Sequence, residues 1–217
     1  MKIVVSKDGS NTIYSDLMDE FYHSPRGAIS ESKYVFIENG LEEYYNLFKY
    51  SSISILEIGL GTGLNALLAW EFSNEFKVNI DYIGIEKFPL EKKLNFSLNY
   101  SDTNKEVFNK IVFNDWNQKI EIDQFFSLSK IESDISNFDF NSEVDIVFFD
   151  AFAKSKQNEI WDDEIIYKVA NFIKKDGFFV TYASTSQLKK QLKNLNFDLF
   201  KRKGALGKRE MTLAQKK

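Results

Sequence analysis

The segment Leu56-Glu-Ile-Gly-Leu-Gly-Thr-Gly-Leu-Asn65 constrains this chain more than any other. Three glycines at alternate positions, Gly59, Gly61 and Gly63, separate the apolar run Ser52–Ile58 from a stretch with apolar residues at Leu64, Leu67, Leu68, Phe72 and Phe76. The first run reads as a buried strand and the second has helical spacing. Glycines at such a joint let the backbone turn sharply and approach a ligand closely, while the helix N-terminus offers free N–H groups. The loop is therefore a ligand cradle on a strand–helix unit.

The spacing narrows the ligand. A dinucleotide fingerprint needs a glycine three positions after Gly61, where Leu64 stands, and no G-x-x-x-x-G-K-[ST] phosphate loop is present. A second strand, residues 78–86, ends in Glu86, where a carboxylate accepts hydrogen bonds from the ribose hydroxyls of a nucleoside. A nearly continuous apolar run, Val144–Phe149, ends in Asp150. Ligands of open α/β sheets bind beyond the carboxyl ends of the strands near the switch in strand order, so Asp150 is expected at the same crevice.

The remaining pattern alternates strand and helix. Pro89 suits the first turn of a helix running to about Tyr100; residues 119–126 read as a strand, 129–135 as a short helix and 163–172 as a longer one. Lys175-Asp-Gly177 turns the chain into strand 178–182, a helix covers 186–195, and runs 197–201 and 211–214 flank a Gly204…Gly207 hairpin. This predicts an α/β domain over 51–217, with a mostly parallel sheet covered on both faces. Residues 1–50 read as a small β extension packed on that domain: a hairpin around Asp8-Gly9, a loop at 21–27 and a strand-like 34–37. No Pro/Gly/Ser-rich linker sets it apart.

Composition removes several chemistries. With 217 residues the chain is one domain on the usual scale of about 100–200. It has no cysteine and a single histidine, His23, which exclude thiol nucleophiles and cysteine-ligated metal and disfavour a histidine triad. No metal is expected. No leader-like or membrane-length apolar run stands out, so the expectation is a soluble cytoplasmic protein without a membrane partner. The net charge of −4 is unlike that of a generic nucleic-acid binder, but residues 185–217 carry ten basic and two acidic side chains, which makes the rest of the chain −12. A basic C-terminal segment of +8 on an acidic body is suited to tracking phosphates.

E-x-G-x-G-x-G over Glu57–Gly63 resembles the first motif of class I S-adenosylmethionine-dependent methyltransferases. Ile85-Glu-Lys-Phe-Pro-Leu90, the segment Asp150-Ala-Phe-Ala-Lys-Ser-Lys-Gln-Asn-Glu-Ile-Trp161, Lys201-Arg-Lys-Gly204 and Gly207-Lys-Arg-Glu-Met211 follow in order. Together they resemble the methyltransferase domain of the tRNA (5-methylaminomethyl-2-thiouridylate) methyltransferase family, whose larger members also carry a flavin-dependent oxidase domain. The resemblance implies a Rossmann-like, seven-stranded sheet with an antiparallel C-terminal hairpin strand. It implies methylation of the amine of 5-aminomethyl-(2-thio)uridine at the tRNA wobble position with S-adenosyl-L-methionine, a tRNA partner, and a substrate supplied either by a separate flavin-dependent oxidase acting on the precursor or directly as 5-aminomethyl-uridine.

By the same resemblance Glu57, Gly59, Gly61, Thr62, Gly63, Asn65, Glu86, Lys87 and Asp150 hold the cofactor. Asp150 is the candidate to orient the acceptor amine, either alone or while also taking its proton, with Lys156 as the nearby cation. Phe152, Lys156, Trp161, Lys201, Arg202, Lys203, Lys208 and Arg209 meet the substrate. Two departures stand out. Ala151, Lys154 and Asn158 replace a glycine and two prolines of the family's D-G-F-A-P-x-K-x-P-x-x-W loop, and the G-D-I expected after the third strand aligns with Phe126-Ser127-Leu128-Ser129, leaving Ser127 in place of the adenine-binding acid. An amine methyltransferase for a small molecule or protein, a non-catalytic cofactor-fold module and, more remotely, a nicotinamide dehydrogenase remain open at this point.

Overall fold

A computed structural model describes residues 1–101 and 104–217. The chain begins with three short antiparallel strands, β1 (Lys2–Val5), β2 (Asn11–Ser15) and β3 (Glu20–Phe21). It then runs without a break through α1 (Ala28–Ser32), a π-helical segment (Lys33–Leu41) and α2 (Glu42–Phe48). The strand expected at residues 34–37 is thus helical. Short β-branched and aromatic runs fit either state, and here burial of Val35, Phe36, Leu41 and Tyr44 on the sheet decides. Gly40 lets the helix approach closely, since a Cβ there would sit 3.3 Å from Phe148 and Val180 side-chain carbons.

The main sheet has eight strands, one more than the resemblance implies: β4 (Ser52–Ile58), β5 (Asn79–Glu86), β6 (Gln118–Glu121), β7 (Phe126–Glu132), β8 (Val144–Phe149), β9 (Ile173–Thr181), β10 (Phe197–Arg202) and β11 (Met211–Lys216). Their order is β10-β11-β9-β8-β4-β5-β7-β6. The five central strands are parallel, β10 and β11 form the expected antiparallel hairpin, and β6 is the extra antiparallel edge. β4 lies between β5 and β8, so the strand order reverses there and opens a crevice at the strands' carboxyl ends.

Helices cover both faces. On one, α3 (Leu64–Phe76), α5 (Lys105–Phe113) and the 28–48 helical run share a core with Ile53, Ile55, Tyr82 and Phe148. On the other, α6 (Asp163–Asn171) and α7 (Ser186–Asn194) pack on Leu56, Val147, Phe149 and Phe179. No described helix is long and apolar enough to cross a membrane.

Two local readings are corrected. The helix expected from Pro89 to Tyr100 is a single turn, α4 (Lys92–Asn95), and the longer α5 carries the crossover. The helix expected at 129–135 is mostly β7, paired along its whole length with β5. Its polar residues obscured it: Lys130 is buried with its ammonium on the Val112 carbonyl at 2.9 Å and over the Trp116 ring at 4.8 Å. Burial lowers the Lys130 pKa to about 8 in spite of those contacts. Residues 173–181 form one strand, with the Lys175-Asp-Gly177 turn appearing as a register shift against β8 and a positive φ at Asp176.

Candidate active site

A cavity of about 660 Å³ opens where β4, β5, β7 and β8 end, within the range of clefts that enclose cofactor-sized ligands. Gly59 and Gly61 form its floor. At Gly59 φ is +89° and a Cβ would meet the Asp150 carbonyl oxygen at 2.5 Å, so no other residue fits beneath the crevice without displacing the β8 end. Gly61 has φ +52° and lies against Tyr22, whose ring would be 3.1 Å from an added Cβ. Gly63 in the left-handed region starts α3, and the loop's N–H groups are largely engaged within the fold: those of Gly59 and Leu60 donate to the Ile85 carbonyl and that of Gly63 to the Leu60 carbonyl.

Glu86 is fixed by its neighbours before any ligand arrives. One oxygen accepts from the Gly61 N–H at 3.0 Å and the other from the Phe88 N–H at 2.8 Å, leaving a further lone pair on each. Burial raises its pKa against those hydrogen bonds. Lys87 lines the cavity beside it and pairs with Asp134 at 2.7 Å.

Asp134 was missed by the sequence reading. The expected Ser127 sits near the start of β7, bonded to Asp81 at 2.8 Å, at the amino end of the sheet and away from the cavity. The residues just past the carboxyl end of β7 are Ser133-Asp134-Ile135, and all three line the cavity. The signal was in the sequence seven residues beyond the aligned position, as an S-D-I in place of G-D-I. Taking 129–135 for a helix hid it. The Lys87 ammonium holds the Asp134 carboxyl below the usual range, so it is an ionised acceptor.

Asp150 follows β8 directly, its N–H bonded to the Ile58 carbonyl at 2.9 Å. Its carboxylate accepts from Asn65 Nδ2 at 2.8 Å, and the same nitrogen donates to Glu57 at 2.7 Å. Glu57 also accepts from the Tyr82 hydroxyl at 2.8 Å and is fully buried. Desolvation raises the Asp150 carboxyl to about 7, offset in part by Asn65, and holds Glu57 well above the usual carboxylate range. Glu57, Thr62 and Asn65 therefore stand behind the cradle and do not line the cavity. Thr62 is bonded to His23 Nε2 at 2.7 Å, which ties the N-terminal segment to the glycine loop. Burial lowers His23 to about 4, so it is neutral there.

The substrate residues divide. Phe152 and Lys208 line the cavity, Phe152 edge-to-face with Tyr22 at 5.1 Å. Trp161 is buried, its indole N–H on the Phe152 carbonyl at 2.8 Å, so it anchors the loop instead of facing a ligand. Lys156 pairs with Asp19 at 2.6 Å, and the cation that bears on Asp150 is Lys208. Lys201, Lys203 and Arg209 are exposed outside the cavity, and Arg202 pairs with Glu43 at 2.8 Å. Glu20, Tyr22, His23, Glu31 and Tyr182 also line the cavity and carried no motif to reveal them.

A parallel sheet with a glycine cradle at its switch point and acids closing β5 and β8 defines a class I methyltransferase fold. Residues 89–217 match the profile of a family of S-adenosyl-L-methionine-dependent methyltransferases, and the chain belongs to that family. Among its relatives is the tRNA 5-methylaminomethyl-2-thiouridine biosynthesis bifunctional protein MnmC of Leptospira interrogans, 31% identical over 93% of this chain and 33% of the relative. The protein of the same name from Actinobacillus pleuropneumoniae is 27% identical over 98% of this chain and 35% of its own length. The chain thus spans about a third of these relatives. The crystal structure of MnmC2 from Aquifex aeolicus superposes with a TM-score of 0.83 at 26% identity, over 99% of this chain and 70% of that one.

The cofactor of the family is S-adenosyl-L-methionine, and the residues present fit it. The floor tolerates no side chain at Gly59, Glu86 keeps free lone pairs beside the loop, and Asp134 is an ionised acceptor past β7.

Proposed function

We propose that this chain transfers a methyl group to the aminomethyl nitrogen of 5-aminomethyl-(2-thio)uridine at the wobble position of tRNA, giving the 5-methylaminomethyl product. The observation that carries the reading is Asp150: a buried carboxylate at the crevice, facing the glycine cradle, with its pKa raised to about 7. The names of the long relatives support the same acceptor.

The cofactor supplies an electrophilic methyl group on a sulfonium when bound. Glu86 is suited to receive ribose hydroxyls and Asp134 the adenine amino group, while Gly59 and Gly61, without side chains, let the cofactor come close to the backbone. An amine attacks only when unprotonated, and an ordinary exposed carboxylate is too weak a base to take its proton near neutrality. Asp150 at about 7 is better matched to that transfer, and its free oxygen is oriented because Asn65 occupies the other. Tyr182 and Trp161 hold the following loop through the Ala151 and Phe152 carbonyls, so the loop keeps its anchors without the family's prolines. That anchoring, together with Asp134, removes the two features that favoured a non-catalytic module.

In this reading the exposed Lys201, Lys203 and Arg209 contact tRNA phosphates, and residues 1–50 cap the cofactor side of domain 51–217. A separate flavin-dependent oxidase prepares the precursor, and the setting is the cytoplasm. The test is transfer of labelled methyl from S-adenosyl-L-methionine to tRNA bearing 5-aminomethyluridine, followed by nucleoside analysis. The product expected is 5-methylaminomethyluridine; label on tRNA lacking the aminomethyl group would refute the acceptor.

A further inference from the structure

Behind the glycine loop runs a chain of buried polar groups that reaches the cavity only at its end. The Tyr82 hydroxyl lies 2.8 Å from one oxygen of Glu57, and Asn65 Nδ2 donates to Glu57 at 2.7 Å and to Asp150 at 2.8 Å. One amide nitrogen thus serves two carboxyl groups. Asn65 Oδ1 is buried and has no hydrogen-bond partner among the described residues. Turning the amide round would only exchange one orphaned atom for another, and would set the oxygen against both carboxyl groups. The orientation of Asn65 therefore depends on Glu57 as much as on Asp150.

The two acids differ in surroundings. Glu57 sits within β4 between Gly84 of β5 and Phe148 of β8, and is fully buried. The groups that bear on it are Asn65 from α3, Tyr82 and Glu86 from β5, and Asp150 beyond β8, none of them cationic. Asp150 lines the cavity, where Glu31 of α1, Lys208 and Tyr182 face it besides Asn65. Two carboxyl groups joined through one nitrogen in a dry interior do not both ionise. The charge goes to the acid that meets the cavity and Lys208, while burial and Asp150 hold Glu57 well above the usual carboxylate range. A hydroxyl accepts as readily as it donates, so Tyr82 serves a protonated Glu57.

We propose that Glu57 is a positioning residue of the transfer site: as an uncharged acid behind the glycine loop it fixes the Asn65 amide, so that Asp150 carries the single negative charge of the pair with one oxygen held and the other open to the acceptor amine. This rests on the reading of Asp150 as the group that receives the amine. Glu57 and Asn65, which do not line the cavity, act through Asp150 instead of holding the cofactor.

The experiment follows isotope-labelled Asp and Glu carboxyl carbons of the full chain by NMR, with Asp150→Asn and Glu57→Gln assigning the two resonances. Asp150 titrates at about 7, and Glu57 keeps the position of a protonated acid throughout that titration. The variants are then titrated in the same way, and their pH–rate profiles are measured for methyl transfer to anticodon stem-loop RNA bearing 5-aminomethyluridine. Glu57→Gln reproduces the neutral acid, with its oxygen toward Asn65 and its nitrogen toward Tyr82. It keeps the Asp150 titration and the acidic limb of the profile within about 0.3 pH unit of wild type. Glu57→Leu releases the Asn65 amide: kcat falls by about tenfold, and the limb moves up by about one pH unit as Asp150 loses a charge-assisted hydrogen bond.

A Glu57 resonance that titrates before Asp150 overturns the proposal. So does a limb lowered by about one pH unit or more in Glu57→Gln, because a charge would then have been removed. If Glu57→Leu does not fold, Asn65→Ala takes its place. With that link gone the limb moves up by the same amount and Glu57→Gln adds nothing to it; a limb left in place, or a further shift in the double variant, overturns the proposal. Asp150 titrations that ignore Glu57→Leu while the wild type methylates the RNA refute the role of Glu57 alone. A wild type that leaves the aminomethyl RNA unmethylated refutes the functional reading.

Discussion

Replacing Asp150 with asparagine should make the protein more stable and nearly inactive. Asparagine has the same shape, and its carbonyl oxygen can accept the bond from Asn65 Nδ2 that the carboxylate receives at 2.8 Å. What disappears is a charge that burial disfavours, shown by a pKa raised from 3.8 to about 7. The folded state thus binds this proton more tightly than the unfolded chain. Its contribution to stability is fully present below about 4, declines as pH rises toward 7 and is lost above that. At about 1.4 kcal/mol per pH unit, maintaining the ionised group at pH 8 costs the fold on the order of 4 kcal/mol. Asp150 also raises the Glu57 pKa, so relief of that repulsion adds in the same direction. Urea denaturation of both proteins at pH 4, 6 and 8 should show the variant ahead by about 3–4 kcal/mol at the highest pH and no gap at the lowest. Equal stability at pH 8, or a gap that persists on acidification, would refute the argument that Asp150 is a desolvated carboxylate. The same variant should lose methyl transfer by about 10²–10⁴-fold.

Further outcomes follow from other parts of the site. In the wild type, methyl transfer should rise with pH through about 7 as Asp150 ionises, and Asp150→Asn should lack that limb in a pH–rate profile. Gly59→Ala places a methyl 2.5 Å from the Asp150 carbonyl oxygen at a positive φ, so calorimetric titration should detect no cofactor binding. Glu86→Gln should weaken S-adenosyl-L-methionine by about 10–100-fold, through loss of charge-assisted hydrogen bonds. Asp134→Asn should weaken the cofactor by about tenfold while Ser127→Ala leaves its affinity unchanged, and the reverse order would restore the original alignment. Reversing charge at Lys201, Lys203 and Arg209 should lower tRNA affinity and flatten its salt dependence, with cofactor affinity unaltered.

The cradle was readable because its chemistry is local: three alternating glycines between a strand and a helix have few other uses, and Glu86 and Asp150 sit at fixed offsets from apolar runs. The cavity walls were not, because they come from residues distant in sequence. Glu20 reaches Ala153 and Glu31 reaches Lys208 only after the N-terminal sheet folds over the crevice. Lys208 looked like a phosphate contact within a basic run, and its role changed once Glu31 and the Tyr182 ring were seen beside it. Thr62 and His23 illustrate the same point: an isolated histidine, set aside as a catalyst, proves to be a neutral structural contact to the glycine loop. The misplaced adenine acid has a different origin. Buried Lys130 and two serines gave β7 a polar alternation read partly as helix, so the strand was ended at residue 126 instead of Glu132 and the adenine acid was sought at Ser127, seven residues before Asp134.

The central claim is tested most directly by incubating the purified chain with methyl-labelled S-adenosyl-L-methionine and two tRNA preparations that differ only in having 5-aminomethyluridine or unmodified uridine at the wobble position. The account predicts label in the first alone, recovered as 5-methylaminomethyluridine and abolished by Asp150→Asn. Equal labelling of both tRNAs, or undiminished transfer by the Asp150 variant, would contradict it.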